Sequence, residues 1–204
     1  MVYAVIKALL KFVLSIAFNL HYEGRENIPK DTPVIYTSNH RTNADPPLVG
    51  CAVPRRHAFM AKEELFENKF FGGLITWLGA FPVSRGKGDM GVIDTAVERL
   101  DEGRSLLIFP EGTRSRDGKV HKGHSGAALI AARSGKPVVP VGIVFGEKLK
   151  FRTKVTIKYG KPINPADYCE ICNNPNTRQL VRLKNRYMTD IKNLVEGEQE
   201  EINE

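Results

Sequence analysis

Cysteine is scarce in this chain of 204 residues, which contains three. An odd and small number of cysteines argues against a disulfide framework and suits a reducing compartment. Cys169 and Cys172 form one C-x-x-C pair, and the sequence has neither a second such pair nor a histidine pair at the spacing of a zinc site. We therefore expect no metal site and interpret the cysteines as incidental.

Acidic residues are the minority among the charged ones, since 23 Asp and Glu stand against 30 Lys and Arg and leave a net charge of +7. This excess predicts an anionic partner, such as nucleic acid, anionic lipid headgroups or a phosphorylated substrate. An aromatic-studded RNP strand and a zinc finger are both missing, so we expect no nucleic acid partner. The length suits one compact domain with an appendage.

Residues 1–20 are almost wholly apolar, but Lys7, Lys11, Ser15 and Asn19 interrupt them at every fourth position, in an N-terminal segment that we place at residues 1–21. On a helix this spacing places the four side chains in one polar stripe. The segment lacks the cleavage site and charge order of a secretory signal, so we expect it to be retained. A spanning helix would bury each lysine at a cost of about 2.5–3.5 kcal/mol, whereas an interfacial helix leaves both among headgroup phosphates. We predict an amphipathic membrane-associating helix; packing against the domain's own core is the alternative.

Strands and helices are predicted to alternate through the remaining residues, 22–204, which we expect to form a single domain. The predicted strands are 33–38, 58–60, 81–84, 105–109, 138–144 and 154–159, and the predicted helices are 46–53, 63–78, 89–102, 126–133 and 178–195. This alternation predicts an α/β domain with helices flanking the sheet.

His40 precedes Asp45 by five residues, in the polar turn between the strand at 33–38 and the next helix. Open α/β sheets place functional groups at this position, and a carboxylate beside a histidine can fix its tautomer and stabilise the imidazolium. The spacing alone is weak, because chance supplies it in many chains. A surface histidine in a loop is the alternative.

Two further loops at predicted strand ends carry arginines, at residues 79–85 and 109–116. The planar fork of arginine suits phosphate oxygens, and glycine beside it lets the backbone approach an anion closely. Either segment taken singly is equally compatible with a solvated basic loop.

Four ordered motifs together resemble the glycerolipid acyltransferase family, specifically its bacterial 1-acyl-glycerol-3-phosphate acyltransferases. Residues 39–45 resemble the catalytic His-x4-Asp block, and residues 79–85, 109–114 and 138–142 resemble the second, third and fourth blocks. The resemblance covers about residues 22–161. It implies a single mixed-sheet α/β acyltransferase domain flanked by helices.

The departures from the family pattern are small. Thr42 stands where the family often has serine, Ala44 is small, and Pro82 occupies a position where a β-branched or aromatic residue is common. Pro82 leaves the pairing of its strand open. Pro110 favours lysophosphatidic acid as acceptor, because glycerol-3-phosphate acyltransferases tend to lack a proline there.

The resemblance assigns roles to individual residues. His40 is the general base that takes the proton from the sn-2 hydroxyl of lysophosphatidic acid, and Asp45 orients its ring. The residues expected to bind substrate are Arg85, Lys87, Glu111, Gly112, Thr113 and Arg114. For Glu111, contact with the acceptor and tethering of an arginine are both open. The oxyanion donors are also open, between N–H groups near Gly112 and the helix start after Asp45.

The same resemblance implies the other participants. The donor is an acyl thioester of either acyl-carrier protein or CoA, the product is phosphatidic acid for phospholipid synthesis, and no cofactor is expected. The expected location is the cytoplasmic face of the cell membrane, with peripheral or monotopic attachment.

Three alternatives remain at this point. The chain could be an acyltransferase of the same family with another lysolipid or glycerol-phosphate acceptor. A non-catalytic module that binds anionic membranes would explain the charge but gives no reason for His40 and Asp45. A hydrolase is weakly supported by residues 123–127, where Ala127 replaces the last glycine of the nucleophile elbow G-x-S-x-G.

Overall fold

Strands and helices alternate in a computed structural model, which describes residues 2–53, 56–83 and 90–202. The strands are β1 (Asn19–Glu23), β2 (Ile35–Ser38), β3 (His57–Lys62), β4 (Ala80–Val83), β5 (Ser105–Ile108), β6 (Val138–Val144) and β7 (Lys154–Tyr159). The α-helices are α1 (Val2–Ala17), α2 (Asp45–Gly50), α3 (Lys69–Trp77), α4 (Met90–Asp101), α5 (Gly126–Ser134) and α6 (Thr177–Ile202). Short 3-10 helices lie at Arg25–Asn27, Glu63–Phe66 and Pro165–Asp167.

The seven strands form one mixed sheet in the order β1-β7-β6-β2-β5-β3-β4. β6 and β7 pair antiparallel, and every other neighbouring pair is parallel. The carboxyl ends of β2 to β6 therefore meet at one edge, which we call the carboxyl edge. This sheet with its flanking helices confirms the predicted fold class.

The sheet is buried on both faces. Every residue of β2, β5 and β6 is buried, as expected for central strands whose sequences are nearly continuous apolar runs. Side chains of α4, α5 and α6 pack on one face. On the other face α1 and α2 share a core with β2, β6 and β7, and α3 shares a smaller core with β3 and β4.

The N-terminal helix ends earlier than predicted. α1 stops at Ala17, and the next residues form β1, an edge strand that pairs with β7 from Asn19 to Glu23. Leu20 and Tyr22 are half-buried while the residues between and beside them are exposed, the alternation of a strand covered on one face. The apolar stretch thus supplies a helix and the start of a strand.

Lys7 does not face outward in the polar stripe that the sequence predicts. It is half-buried, and its Nζ donates to the carbonyl of Val53 beyond α2. Burial lowers the pKa of Lys7. Lys11 and Ser15 of the predicted stripe are exposed, and so are several large apolar side chains of α1: Val5, Leu9, Phe12, Val13 and Ile16. In the described part of the chain, no helix is both long enough and apolar enough to cross a membrane.

Pro82 lies in β4, at one edge of the sheet. β4 pairs with β3 in parallel, with Pro82 in register with Ala61. Proline has no N–H for a sheet ladder and is confined largely to edge strands, so its position agrees with the order of the strands. The pairing that Pro82 left open is thereby established.

The helical region predicted at 63–78 is divided in two. A 3-10 helix covers Glu63–Phe66, and α3 begins after Asn68, whose side chain accepts from the backbone N–H groups of Phe70 and Phe71. This is the capping geometry that satisfies the first free donors of a helix. At the other end of the chain, α6 extends beyond the predicted limit to Ile202.

Candidate active site

A cleft of about 1950 Å³ opens on the face of the sheet that carries α1, α2 and α3. Lys7 and Leu10 of α1 line one side of it, and Phe71 and Ile75 of α3 line the other. His40 lies in its wall at the carboxyl edge. This volume exceeds the roughly 300–1,000 Å³ of a typical small-ligand pocket, so the cleft has room for a ligand larger than most small molecules.

His40 and Asp45 form a hydrogen-bonded pair in this wall. His40 Nδ1 lies 2.8 Å from Asp45 Oδ2, and the side-chain exposures are 14% and 0%. A carboxylate accepts hydrogen bonds, so Nδ1 carries the hydrogen and Nε2 keeps its lone pair. The predicted pair is therefore assembled as a base with a fixed tautomer.

Asp45 is held by the loop that precedes it. Its Oδ2 accepts from the backbone N–H groups of Arg41 at 2.6 Å and Thr42 at 2.8 Å. Its Oδ1 accepts from Thr42 Oγ1 at 2.6 Å. Threonine thus supplies the hydroxyl that serine would offer, and the departure at Thr42 leaves the carboxylate fully bonded.

The backbone of His40 is fixed on both sides by the loop after β5. Its N–H donates to Glu111 Oε1 at 3.1 Å, and its carbonyl accepts from the N–H of Ser115 at 2.7 Å. Its ring stacks on Phe109, with ring centroids 4.0 Å apart and planes 20° apart. Because β2 and β5 are parallel neighbours, their following loops lie side by side and can make these contacts.

Glu111 binds backbone amides. Besides the N–H of His40, its carboxylate accepts the N–H of His121 at 3.1 Å, and the residue is buried. Burial raises the pKa of Glu111, and the two amide hydrogen bonds oppose that rise. The Glu111 carboxylate therefore connects the His40 loop with the backbone at His121. Glu111 tethers the loop as one of the two expected roles required, but its partners are backbone amides and not an arginine.

The other predicted substrate-binding residues fall into two groups. Gly112, Thr113 and Arg114 line the cleft. Gly112 has a φ of 71°, which favours glycine, and Arg114 donates to the Asn43 side chain at 3.0 Å across the two loops. Arg85 and Lys87 lie outside the described residues.

Both expected sources of oxyanion donors are narrowed. The N–H of Gly112 donates to the carbonyl of Phe109 within a tight turn. The helix that starts at Asp45 continues with Pro46 and Pro47, which have no N–H. The N–H of Gly112 is thus already bonded, and the first turn of α2 has no N–H at Pro46 or Pro47 to offer an oxyanion. The N–H groups of Thr113 and Arg114 are the next candidates in the Gly112 segment.

Basic side chains surround the cleft. The cationic residues that line it are Lys7, Arg41, Lys62, Arg114, Arg116 and Lys148, beside the acidic Glu147. Arg41 lies 3.8 Å above the ring of Phe145 and donates to the carbonyls of Phe145 and Gly146. Burial lowers the pKa of Arg41. Arg41 thereby fixes the His40 loop to the end of β6.

A second histidine, His57, lines the cleft at the opposite edge of the sheet, because it opens β3. The strand register places His57 level with Val34, which precedes His40 by six residues. At about 3.3 Å per residue, His57 and His40 are therefore separated by about 20 Å along the strand direction. His57 is 9% exposed, and its buried Nδ1 has no hydrogen-bond partner among the described residues. Burial, aided by the charge of Lys7, lowers the pKa of His57 to about 4.

Sequence reasoning missed several residues that build the site. Asn39 exchanges hydrogen bonds with the backbone of Ile143, through its Nδ2 at 3.0 Å and its Oδ1 at 2.8 Å, and so fixes the end of β2 to β6. Phe109 and Ser115 were also missed, although both follow a strand next to β2. Thr42 carried a usable signal, because a hydroxyl three residues before a carboxylate can close a local turn.

The chain is similar to several known proteins. The acyltransferase family model matches residues 19–144. A 1-acyl-sn-glycerol-3-phosphate acyltransferase of Streptococcus pneumoniae is 34% identical, over 96% of this chain and 74% of that protein. A protein of the same name from Bacillus subtilis is 29% identical, over 90% of this chain and 94% of that protein.

A solved structure is also similar. The crystal structure of the 1-acyl-sn-glycerophosphate acyltransferase PlsC from Thermotoga maritima aligns with a TM-score of 0.78 and 29% identity. The alignment covers 97% of this chain and 80% of the other. The fold is therefore shared over nearly the whole described length.

Proposed function

Since the chain belongs to the acyltransferase family, we propose that it transfers a fatty acyl group from an acyl thioester to the sn-2 hydroxyl of lysophosphatidic acid. The product is phosphatidic acid. Its relatives in Streptococcus and Bacillus, named for 1-acyl-sn-glycerol-3-phosphate, support this acceptor.

The observation that carries the proposal is the hydrogen-bonded pair of His40 and Asp45 in the wall of a basic cleft. An alcohol is a poor nucleophile near neutral pH, so the reaction needs a general base. His40 Nε2 has the lone pair for this task, because Asp45 holds the hydrogen on Nδ1. A module that only binds membranes has no use for this pair.

The reaction is a direct transfer. His40 Nε2 takes the hydroxyl proton as the oxygen attacks the thioester carbonyl, and a tetrahedral oxyanion forms. The N–H groups of Thr113 and Arg114 are our candidates for its donors. The intermediate collapses with cleavage of the carbon–sulfur bond, and the proton on His40 passes to the leaving sulfur. Charge and protons balance without a cofactor, a metal or an acyl-enzyme.

Arginine side chains are proposed to hold the acceptor's phosphate. Arg114 lines the cleft beside Asn43, and Arg85 ends the second family motif. Lys87 is proposed to add positive charge outside these two phosphate contacts. Acyl-carrier protein and CoA are both anionic, so the basic cleft suits either donor. We place the enzyme on the cytoplasmic face of the cell membrane, where such soluble donors meet a lipid acceptor.

The test is thiol release from acyl-CoA, and separately from acyl-carrier protein, with lysophosphatidic acid in vesicles. We expect release to depend on the acceptor and to fall by about 10²- to 10⁴-fold in His40→Ala. His21→Ala is the matched control, because His21 is an exposed histidine of β1 at the far edge of the sheet. The faster donor identifies the physiological one.

Two results would contradict the proposal. Equal turnover with monoacylglycerol, which lacks phosphate, would overturn the choice of acceptor. A labelled acyl group bound covalently to the wild-type protein in a single turnover would overturn direct transfer.

A further inference from the structure

α3 presents an unusual number of large apolar side chains to solvent. Phe70 is 94% exposed, and Leu65, Phe71, Leu74 and Trp77 are each more than two-fifths exposed. Among the described residues of α3, only Gly72 and Ile75 are buried. Phe70, Leu74 and Trp77 recur at the helical spacing of one face, so we call them, with Leu65 and Phe71, the α3 apolar face.

The α3 apolar face costs solubility without adding to the core. A single exposed apolar residue needs no explanation, but a contiguous group marks an interaction surface. Asn68 caps the start of α3 and fixes the helix that carries this face. These apolar side chains are therefore carried by a capped helix, which fixes their position.

The position of the α3 apolar face relates it to the cleft. α1 and α3 pack on the same face of the sheet, and Phe59 of β3 contacts both of their cores. Helices packed on one face of a sheet expose their outer sides in the same general direction. The exposed apolar residues of α1, such as Leu9 and Phe12, thus flank the cleft on one side and the α3 apolar face flanks it on the other.

Charge complementarity indicates the partner. The cationic residues that line the cleft, which include Lys62, Arg114 and Lys148, share it with Leu10 of α1 and Phe71 of α3. Apolar side chains beside a band of lysine and arginine fit a bilayer surface, where acyl chains lie below a layer of anionic headgroups. A protein partner could cover the apolar side chains, but it would not explain why lysine and arginine side chains line the cleft beside them.

We propose that the α3 apolar face inserts into the membrane interface as a second contact, on the opposite side of the cleft from α1, so that a lipid acceptor enters between the two helices. This inference rests on the proposed function for the identity of the substrate. The contact itself is independent of turnover, because lipid binding by Phe70 and Leu74 requires neither donor nor acceptor.

The test compares wild type with a double variant that carries both Phe70→Ser and Leu74→Ser. Flotation with phosphatidylcholine and phosphatidylglycerol vesicles, without acyl donor, measures binding. We expect binding to fall by about tenfold or more, since two large apolar side chains no longer leave water. Phe70→Trp should retain binding. Ile171→Ser is the matched control, because Ile171 is also exposed but lies beside Gly135 at the end of α5, on the other face of the sheet.

A second measurement separates this inference from the proposed function. Turnover of lysophosphatidic acid in vesicles should fall in the double variant, whereas turnover of a short-chain, water-soluble analogue should stay within about twofold of wild type. If vesicle binding falls in the double variant but neither it nor wild type transfers acyl groups, the membrane contact stands and the proposed function fails.

Two outcomes would overturn the membrane contact. In the first, the double variant binds vesicles as tightly as wild type. In the second, light scattering without lipid shows a dimer for wild type and a monomer for the double variant, which would assign the α3 apolar face to an interface between copies of this chain.

Discussion

His40 and His57 line the same cleft but differ in the partner of Nδ1. Nδ1 of His40 bonds to a buried carboxylate, whereas the buried Nδ1 of His57 has no partner among the described residues. Burial therefore lowers the pKa of His57 to about 4, whereas Asp45 fixes the orientation and tautomer of the His40 ring. The same residue type is thus bonded to a carboxylate at the carboxyl edge and buried without one at the opposite end of the strands, and we propose the role of a base only for the first.

Removing that carboxylate should produce the largest effect. In Asp45→Asn the amide oxygen stays at the position that accepts from the N–H groups of Arg41 and Thr42, so a neutral acceptor replaces the carboxylate beside His40 Nδ1. The imidazolium that forms on proton transfer then loses its counter-charge. We expect kcat/KM to fall by about 10³- to 10⁴-fold, the scale seen when a buried carboxylate beside a catalytic histidine is replaced. Steady-state kinetics measure this, and circular dichroism checks that the fold is kept. A loss below tenfold would show that the charge of Asp45 does not support proton transfer to His40.

His57→Leu should change stability in acid. The folded pKa is about 4 and the ordinary value is 6.5, so below pH 6.5 the unfolded chain binds a proton that the folded chain does not. Stability is thus lost as the pH falls from 6.5 towards 4, by about 2 kcal/mol between pH 7 and pH 5. Urea unfolding at both pH values should show that His57→Leu loses about 2 kcal/mol less than wild type. Equal losses would show that His57 titrates normally.

Glu111→Gln should have a smaller effect, through the position of His40. The amide of glutamine can accept one of the two backbone N–H groups, and its NH₂ then opposes the other. We expect kcat to fall by about tenfold with little change in KM, because an unpaired buried donor costs about 1–3 kcal/mol. Glu147→Gln is the matched control, since Glu147 is an exposed carboxylate in the same cleft. A raised KM with unchanged kcat would place Glu111 on the acceptor instead.

The sequence was sufficient for the features that depend on local pattern. Continuous apolar runs predicted β2, β5 and β6, and the strand-to-helix turn placed His40 and Asp45 at the carboxyl edge. β1 escaped prediction because Asn19–Glu23 follows directly on an apolar helix, and its alternation becomes evident only when β7 covers one face. The limits of α1 were therefore wrong by several residues.

The contacts that complete the site could not be predicted from spacing. Glu111 and the N–H of His40 are 71 positions apart, and so are Arg114 and Asn43. They meet because β2 and β5 are neighbours in the sheet, although β3 and β4 come between them in the chain. Family resemblance identifies Glu111 as important, but only the fold shows that it binds amides.

Pro82 has a consequence for the behaviour of the protein in concentrated solution. An edge strand with free N–H and C=O groups can act as a template on which another molecule adds a strand, which leads to fibrillar aggregates. β4 is four residues long, and one of them cannot donate. The residue that looked least suited to a strand thus protects this edge of the sheet against intermolecular growth.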